Sequence, residues 1–106
     1  MHRQTKATNI PYEVKERVWE RDGGRCVLCG RSYGAFPNAH FIARSHGGKG
    51  IEENIVTLCI PCHHAYDNTE YREEIRGRLR RYLMEQYPGW DEDDLIYRKY
   101  DFTGDK

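Results

Sequence analysis

The sequence predicts a small α+β domain braced by metal, and three observations carry that expectation. Four cysteines stand in two Cys-x-x-Cys pairs, Cys26/Cys29 and Cys59/Cys62, with 29 residues between the pairs. Between them lie two short apolar stretches of strand character, residues 36–43 and 54–58, and helical spacing of apolar residues runs on either side. With 106 residues, 38% hydrophobic and 32% charged, the chain can build one modest core that a bound ion would usefully brace.

The elements follow in order. Residues 1–10 are polar and aperiodic and read as a flexible N-terminal arm; residues 11–106 read as a single domain with a core over 26–67 and a helical extension over 70–100. From Pro11 the apolar pair Val14 and Val18 marks one helix face, and proline suits a first helical turn. Gly23-Gly24 should stop that helix. Residues 25–30 then have the form of a zinc knuckle, with Gly30 relieving crowding after the second cysteine. Phe41 and Ile42 mark the first strand, a polar glycine-rich loop spans 44–50, and the β-branched run 54–58 leads into the second knuckle. Pro61 opens a helix bearing Cys62, His63, His64 and Asp67. Residues 70–87 repeat the helical pattern, with Ile75, Leu79, Tyr82, Leu83 and Gln86 on one face and arginines between Arg72 and Arg81 on the other, read as a solvated face. Pro88-Gly89 ends it, and Asp91 caps a short acidic helix. Tyr66, Tyr71, Tyr82, Tyr87, Tyr97 and Tyr100 are expected to pack the C-terminal helices.

Seventeen basic residues balance seventeen acidic ones, which argues against a protein that coats nucleic acid indiscriminately. The distribution is uneven: residues 1–49 hold nine Lys/Arg against four Asp/Glu, so the positive potential lies in the half with the first knuckle. No apolar run approaches the roughly 18–20 residues of a membrane helix, and the polar start lacks the apolar core of a secretory signal. A cytoplasmic location is expected, with no membrane partner. Thiols stay reduced there, so paired cysteines favour metal over disulfides.

Four thiolates in two knuckles match the tetrahedral demand of a structural zinc. The competing reading, two redox dithiols, calls for one active pair at a helix start in a thioredoxin-like frame, and here the pairs are equivalent. Between and beyond the cysteines stand His40, Asn54 and His63.

Three stretches carry a resemblance: Arg-Cys-Val-Leu-Cys-Gly at 25–30, Ala-His-Phe-Ile-Ala-Arg-Ser-His-Gly-Gly at 39–48, and Glu-Asn-Ile-Val-Thr-Leu-Cys-Ile-Pro-Cys-His-His-Ala-Tyr-Asp at 53–67. They resemble the HNH endonuclease family, whose ββα-metal (His-Me finger) core would here be braced by the four-cysteine zinc. The flanks look like small stand-alone phage and prophage members. The resemblance implies hydrolysis of DNA phosphodiester bonds, by nicking or by double-strand cleavage. It assigns His40 as general base, Asn54 as orienter of the loop or metal ligand, and His63 as ligand of a catalytic divalent ion, with Asp67 a further candidate four residues on. That ion would be Mg²⁺, Mn²⁺, Ni²⁺ or Zn²⁺. Arg44 and Lys49 beside the glycine-rich loop are candidates for DNA contact, while His46 and His64 are expected to be exposed.

The resemblance also implies a bacterial host cell, and DNA packaging with the phage terminase large subunit; it leaves monomer against dimer open. One departure stands out. Family members often place an acidic residue or a second histidine just before the catalytic histidine, and this chain has Ala39. The alternative from another class is a non-catalytic, zinc-ribbon-like nucleic-acid-binding module in which His40 is structural.

Overall fold

Residues 3–98 are described by a computed structural model. Tyr100 and the rest of 99–106 lie outside the described residues. The elements run α1 (Arg3–Thr8), α2 (Tyr12–Arg21), β1 (Ala35–His40), β2 (Ile55–Cys59), α3 (Ile60–Asn68) and α4 (Arg72–Gln86), with 3-10 turns at Arg44–His46, Glu52–Asn54 and Glu92–Leu95. Strand, loop, strand and helix from β1 to α3 form the ββα unit, and the mixed α+β architecture agrees with the expectation. No helix among the described residues is long and apolar enough to cross a membrane.

α2 forms where Val14 and Val18 share a face; Pro11 sits at its N-cap in extended conformation instead of inside the first turn. That face packs with Ile55 and Ile10 into a small cluster. β1 and β2 pair antiparallel, Ala35 opposite Cys59 and His40 opposite Ile55, with an irregularity between Phe36 and Ala39. Pro37 lies in the irregular step, where a residue without an N–H costs the ladder least. All five residues of β2 are buried, because both its faces are covered. Ile55 faces the α2 cluster, while Val56 and Leu58 join Phe41, Tyr66, Leu79, Leu83 and Leu95 in the larger core. Each such aliphatic side chain contributes about 1.5–3 kcal/mol when fully buried, so a core this small leaves room for metal to matter.

Asp22 ties the layers together. Its side chain is fully buried, pairs with Arg21, and accepts hydrogen bonds from the Thr57 amide at 2.8 Å and the Tyr82 hydroxyl at 2.5 Å.

Five further expectations change. The first strand is Ala35–His40 and stops short of Phe41 and Ile42, which were expected to mark it. Residues 3–8 are helical where a flexible arm was expected, and Thr8 is 2% exposed. α4 starts at Arg72, because Thr69 is extended at φ −129° and ψ 172° and breaks the helical path after α3. Gln86 is exposed, so it does not belong to the buried face of Ile75, Leu79 and Leu83. The arginines of α4 are not simply solvated: Arg76 and Arg80 lie over the Phe41 ring and both pair with Glu92, and Arg72 lies over Tyr66. The acidic cap behaves as expected, the Asp91 carboxylate accepting from the Asp93 amide.

Candidate metal centre and cleft

The four thiols converge. The ligand atoms of Cys26, Cys29, Cys59 and Cys62 all lie within 4.8 Å of one another, and Cys29 Sγ and Cys59 Sγ are 3.6 Å apart. A disulfide requires about 2.0 Å, whereas sulfurs at the corners of a zinc tetrahedron stand about 3.8 Å apart. The donor set and its spacing fit a structural zinc. The first knuckle is closed by the Gly30 amide, which donates to the Cys26 carbonyl at 2.9 Å; Gly30 holds φ +82°, a conformation that disfavours any residue with a side chain. The second knuckle is rigid for another reason: Cys59 ends β2 and is the N-cap of α3, with Pro61 in the first turn.

Electrostatics agree with a bound dication. Burial works to raise the Cys26 thiol, but backbone hydrogen bonds from Cys59, Cys29 and Leu28 bring it down to about 7. Burial and the neighbouring sulfurs push Cys59 and Cys62 up. Four thiolates in this space repel one another unless a cation sits among them.

A separate cleft of about 910 Å³ opens between the N-terminal segment, β1 and α3. His40, His63, Asp67 and Arg44 line it, together with Asn9, Lys15, Asn38, His46 and Arg72. His63 Nε2 and Asp67 Oδ2 are 3.1 Å apart, one helical turn along α3. Two ligands side by side on an octahedral ion with bonds of about 2.1 Å stand about 3.0 Å apart, so this pair suits a shared ion. His40 Nε2 lies 2.9 Å from the Thr8 carbonyl oxygen. A carbonyl only accepts, so Nε2 carries the proton and Nδ1 keeps its lone pair. Burial first, then the charges of Arg44 and His63, hold His40 below its ordinary value of 6.5, against the opposing pull of the Thr8 carbonyl and Asp67.

Asn54 is fully buried with its amide committed. Its oxygen accepts from the Ile42 amide at 2.8 Å, and its nitrogen donates to the Ile42 carbonyl at 3.2 Å and the Lys49 carbonyl at 2.9 Å. This geometry suits the loop-orienting role and leaves little for ligation. Asn54→Ala would strip partners from three backbone groups at about 1–3 kcal/mol each. We expect a loss of about 3 kcal/mol or more in urea denaturation with zinc retained; a wild-type midpoint would contradict it.

Residues 26–69 match the family model for HNH endonuclease. Over that span the chain is similar to the HNH endonuclease family. No curated protein is similar enough to the chain to count as a match. An HNH domain implies a nuclease with DNA as its substrate, and the four cysteines fit its zinc-binding type.

The structure brings His40, His63, Asp67 and Arg44 of the matched span to one cleft. It sends Lys49 elsewhere: the ammonium donates to the Asp94 carbonyl at 3.0 Å and does not line the cleft. His46 and His64 are exposed, as expected. Ala39 is 0% exposed and belongs to the core, opposite Val56. The residue of β1 that shares the cleft with His40 is Asn38, and the alternation of strand faces could have found it. Thr8, Asn9, Lys15 and Arg72 lie outside the matched span, and no local signal in the sequence points to them.

Proposed function

We propose that the cleft is the active centre of a metal-dependent endonuclease that hydrolyses DNA phosphodiester bonds, with His40 as general base. The observation that supports this most is the His40 ring itself, whose Nε2–H donates to the Thr8 carbonyl and so leaves Nδ1 as acceptor, in the cleft that also holds the His63/Asp67 pair. Nδ1 takes a proton from water as the water oxygen bonds to phosphorus; the bond to the 3′ oxygen breaks, and that oxygen is protonated by solvent. His63 and Asp67 would hold a catalytic divalent ion, which when bound polarises the phosphate and stabilises charge on the leaving oxygen. Lys15, Arg44 and Arg72 outnumber the cleft's single acid, Asp67, which favours a polyanion. The four-cysteine zinc is structural and takes no part in the reaction.

A plasmid-nicking assay with Mg²⁺, Mn²⁺, Ni²⁺ or Zn²⁺ tests the reading. Folded, zinc-loaded protein that binds DNA but cuts with none of these ions would be a binding module instead. His63→Ala should weaken the catalytic ion by at least about 10–100-fold, so that activity lost at low metal partly returns at high metal. An unchanged metal titration would remove His63 as ligand. From the resemblance to phage and prophage members, we place the activity in DNA packaging beside the terminase large subunit. Co-purification with that subunit is the test, and its absence from cells expressing both would overturn the placement.

A further inference from the structure

We propose that residues 7–10, outside the HNH match, are a positioning element of the active centre: the Thr8 carbonyl fixes the His40 ring, and Gly50 is the seat that lets the segment reach it. This rests on His40 as the base and adds a part of the chain that the family match does not include.

α1 has six residues, far short of the roughly 12–15 at which an isolated helix becomes even marginally stable in water. Contacts with the catalytic loop and its flanks hold its C-terminal end. His40 Nε2 donates to the Thr8 carbonyl at 2.9 Å, the Gly50 amide donates to the Ala7 carbonyl at 3.0 Å, and Arg44 Nη2 donates to Asn9 Oδ1 at 2.6 Å. Ile10 packs against the cluster of Val14, Val18 and Ile55, which anchors the far side. The segment is therefore held at both ends, and its middle faces the catalytic histidine.

Gly50 shows how close the approach is. A Cβ there would fall 1.9 Å from the Asn9 carbonyl oxygen, 2.5 Å from its carbon and 3.0 Å from Ile10 Cα. These are backbone atoms, so no side-chain rotation relieves the clash. Gly50 is not among the glycines with positive φ; it is required for space. A methyl group at position 50 lifts the segment, and Thr8 leaves the His40 ring.

The experiment uses full-length, zinc-loaded protein. In the wild type, nitrogen-proton NMR of the imidazoles should show His40 with protonated Nε2, unprotonated Nδ1 and a slowly exchanging Hε2. Gly50→Ala should keep zinc and a cooperative melt, lose the protected Hε2, and lower kcat for nicking about 10- to 100-fold with KM within about 2-fold. Asn9→Ala leaves the seat open and should give a smaller drop in the same direction with weaker Hε2 protection. Gly77→Ala adds a methyl with no atom within 4 Å and should keep wild-type kcat. A wild-type His40 protonated on Nδ1, or a fast-exchanging Hε2, overturns the proposal. So does a folded Gly50→Ala with wild-type kcat. Should Gly50→Ala fail to fold, the wild-type spectrum and Asn9→Ala decide. If the wild type never nicks DNA, the nuclease role of His40 is lost, and the Hε2 signal still reports whether the segment holds the ring.

Discussion

Cys59→Ser is expected to release the zinc and abolish the cooperative thermal melt. Cys59, 1% exposed, has three tasks at one point in the chain: it ends β2, it is the N-cap of α3, and its sulfur lies among the other three. Structural zinc sites of this kind contribute about 10–16 kcal/mol of apparent binding free energy near neutral pH. A domain of this size has a net stability of only about 5–15 kcal/mol, so the loss of much of that binding is comparable to the whole margin. Metal content after purification and a far-ultraviolet circular dichroism melt measure the two effects. A variant that melts like wild type would show that the sulfur cluster is incidental to folding.

His40→Ala should do the opposite, removing activity and leaving the fold. General-base catalysis contributes about 10²–10⁴-fold, and we expect nicking to fall within that range while the melt stays close to wild type. The pH dependence has a definite sign. His40 is held below its ordinary 6.5, chiefly by burial, so it is neutral and competent at pH 7, and the rate should fall on acidification with its midpoint below 6.5. Stability follows the same direction: protonation favours the unfolded chain, so the neutral ring's contribution is present above about 6.5 and is lost as pH falls through the lower folded value. A rate independent of pH between about 5 and 7, or an acid limb centred above 6.5, would rule out this His40 as the base.

Much of this was legible because the signals are local. The Cys-x-x-Cys spacing implies a knuckle whatever surrounds it, Val14 and Val18 lie one turn apart, and Asp91 precedes an acidic turn that needs a cap. What could not be read was tertiary in origin. α1 has no apolar period; its end is held by Gly50, His40 and Arg44, more than thirty residues away. The loop read only as polar and glycine-rich, yet a Cβ at Gly48 would fall 1.6 Å from the Ile42 carbonyl oxygen and one at Gly50 would strike Asn9, so packing demands both glycines. The arginines of α4 gave an amphipathic pattern, and only the placement of Phe41 and Tyr66 beneath them shows that they cover rings. Ala39 drew attention as a missing ligand because the sequence does not show which way β1 turns its residues; the strand turns this one inward.

The loop at 47–50 is hydrogen-bonded from both ends of the chain: Gly50 to Ala7 on one side, Lys49 to Leu95 and Tyr97 to Gly47 on the other. Gly48 and Ile96 also form an antiparallel bridge. The unit that folds is therefore larger than the span 26–69 that the family model recognises. A fragment trimmed to 26–69 for grafting onto another protein would keep His40, His63 and the four thiols, but would shed Leu79, Leu83 and Leu95 from beneath the hairpin and Val14 and Val18 from above it. Portability would have to be restored by new walls on both faces of β2, supplied by whatever host receives the graft.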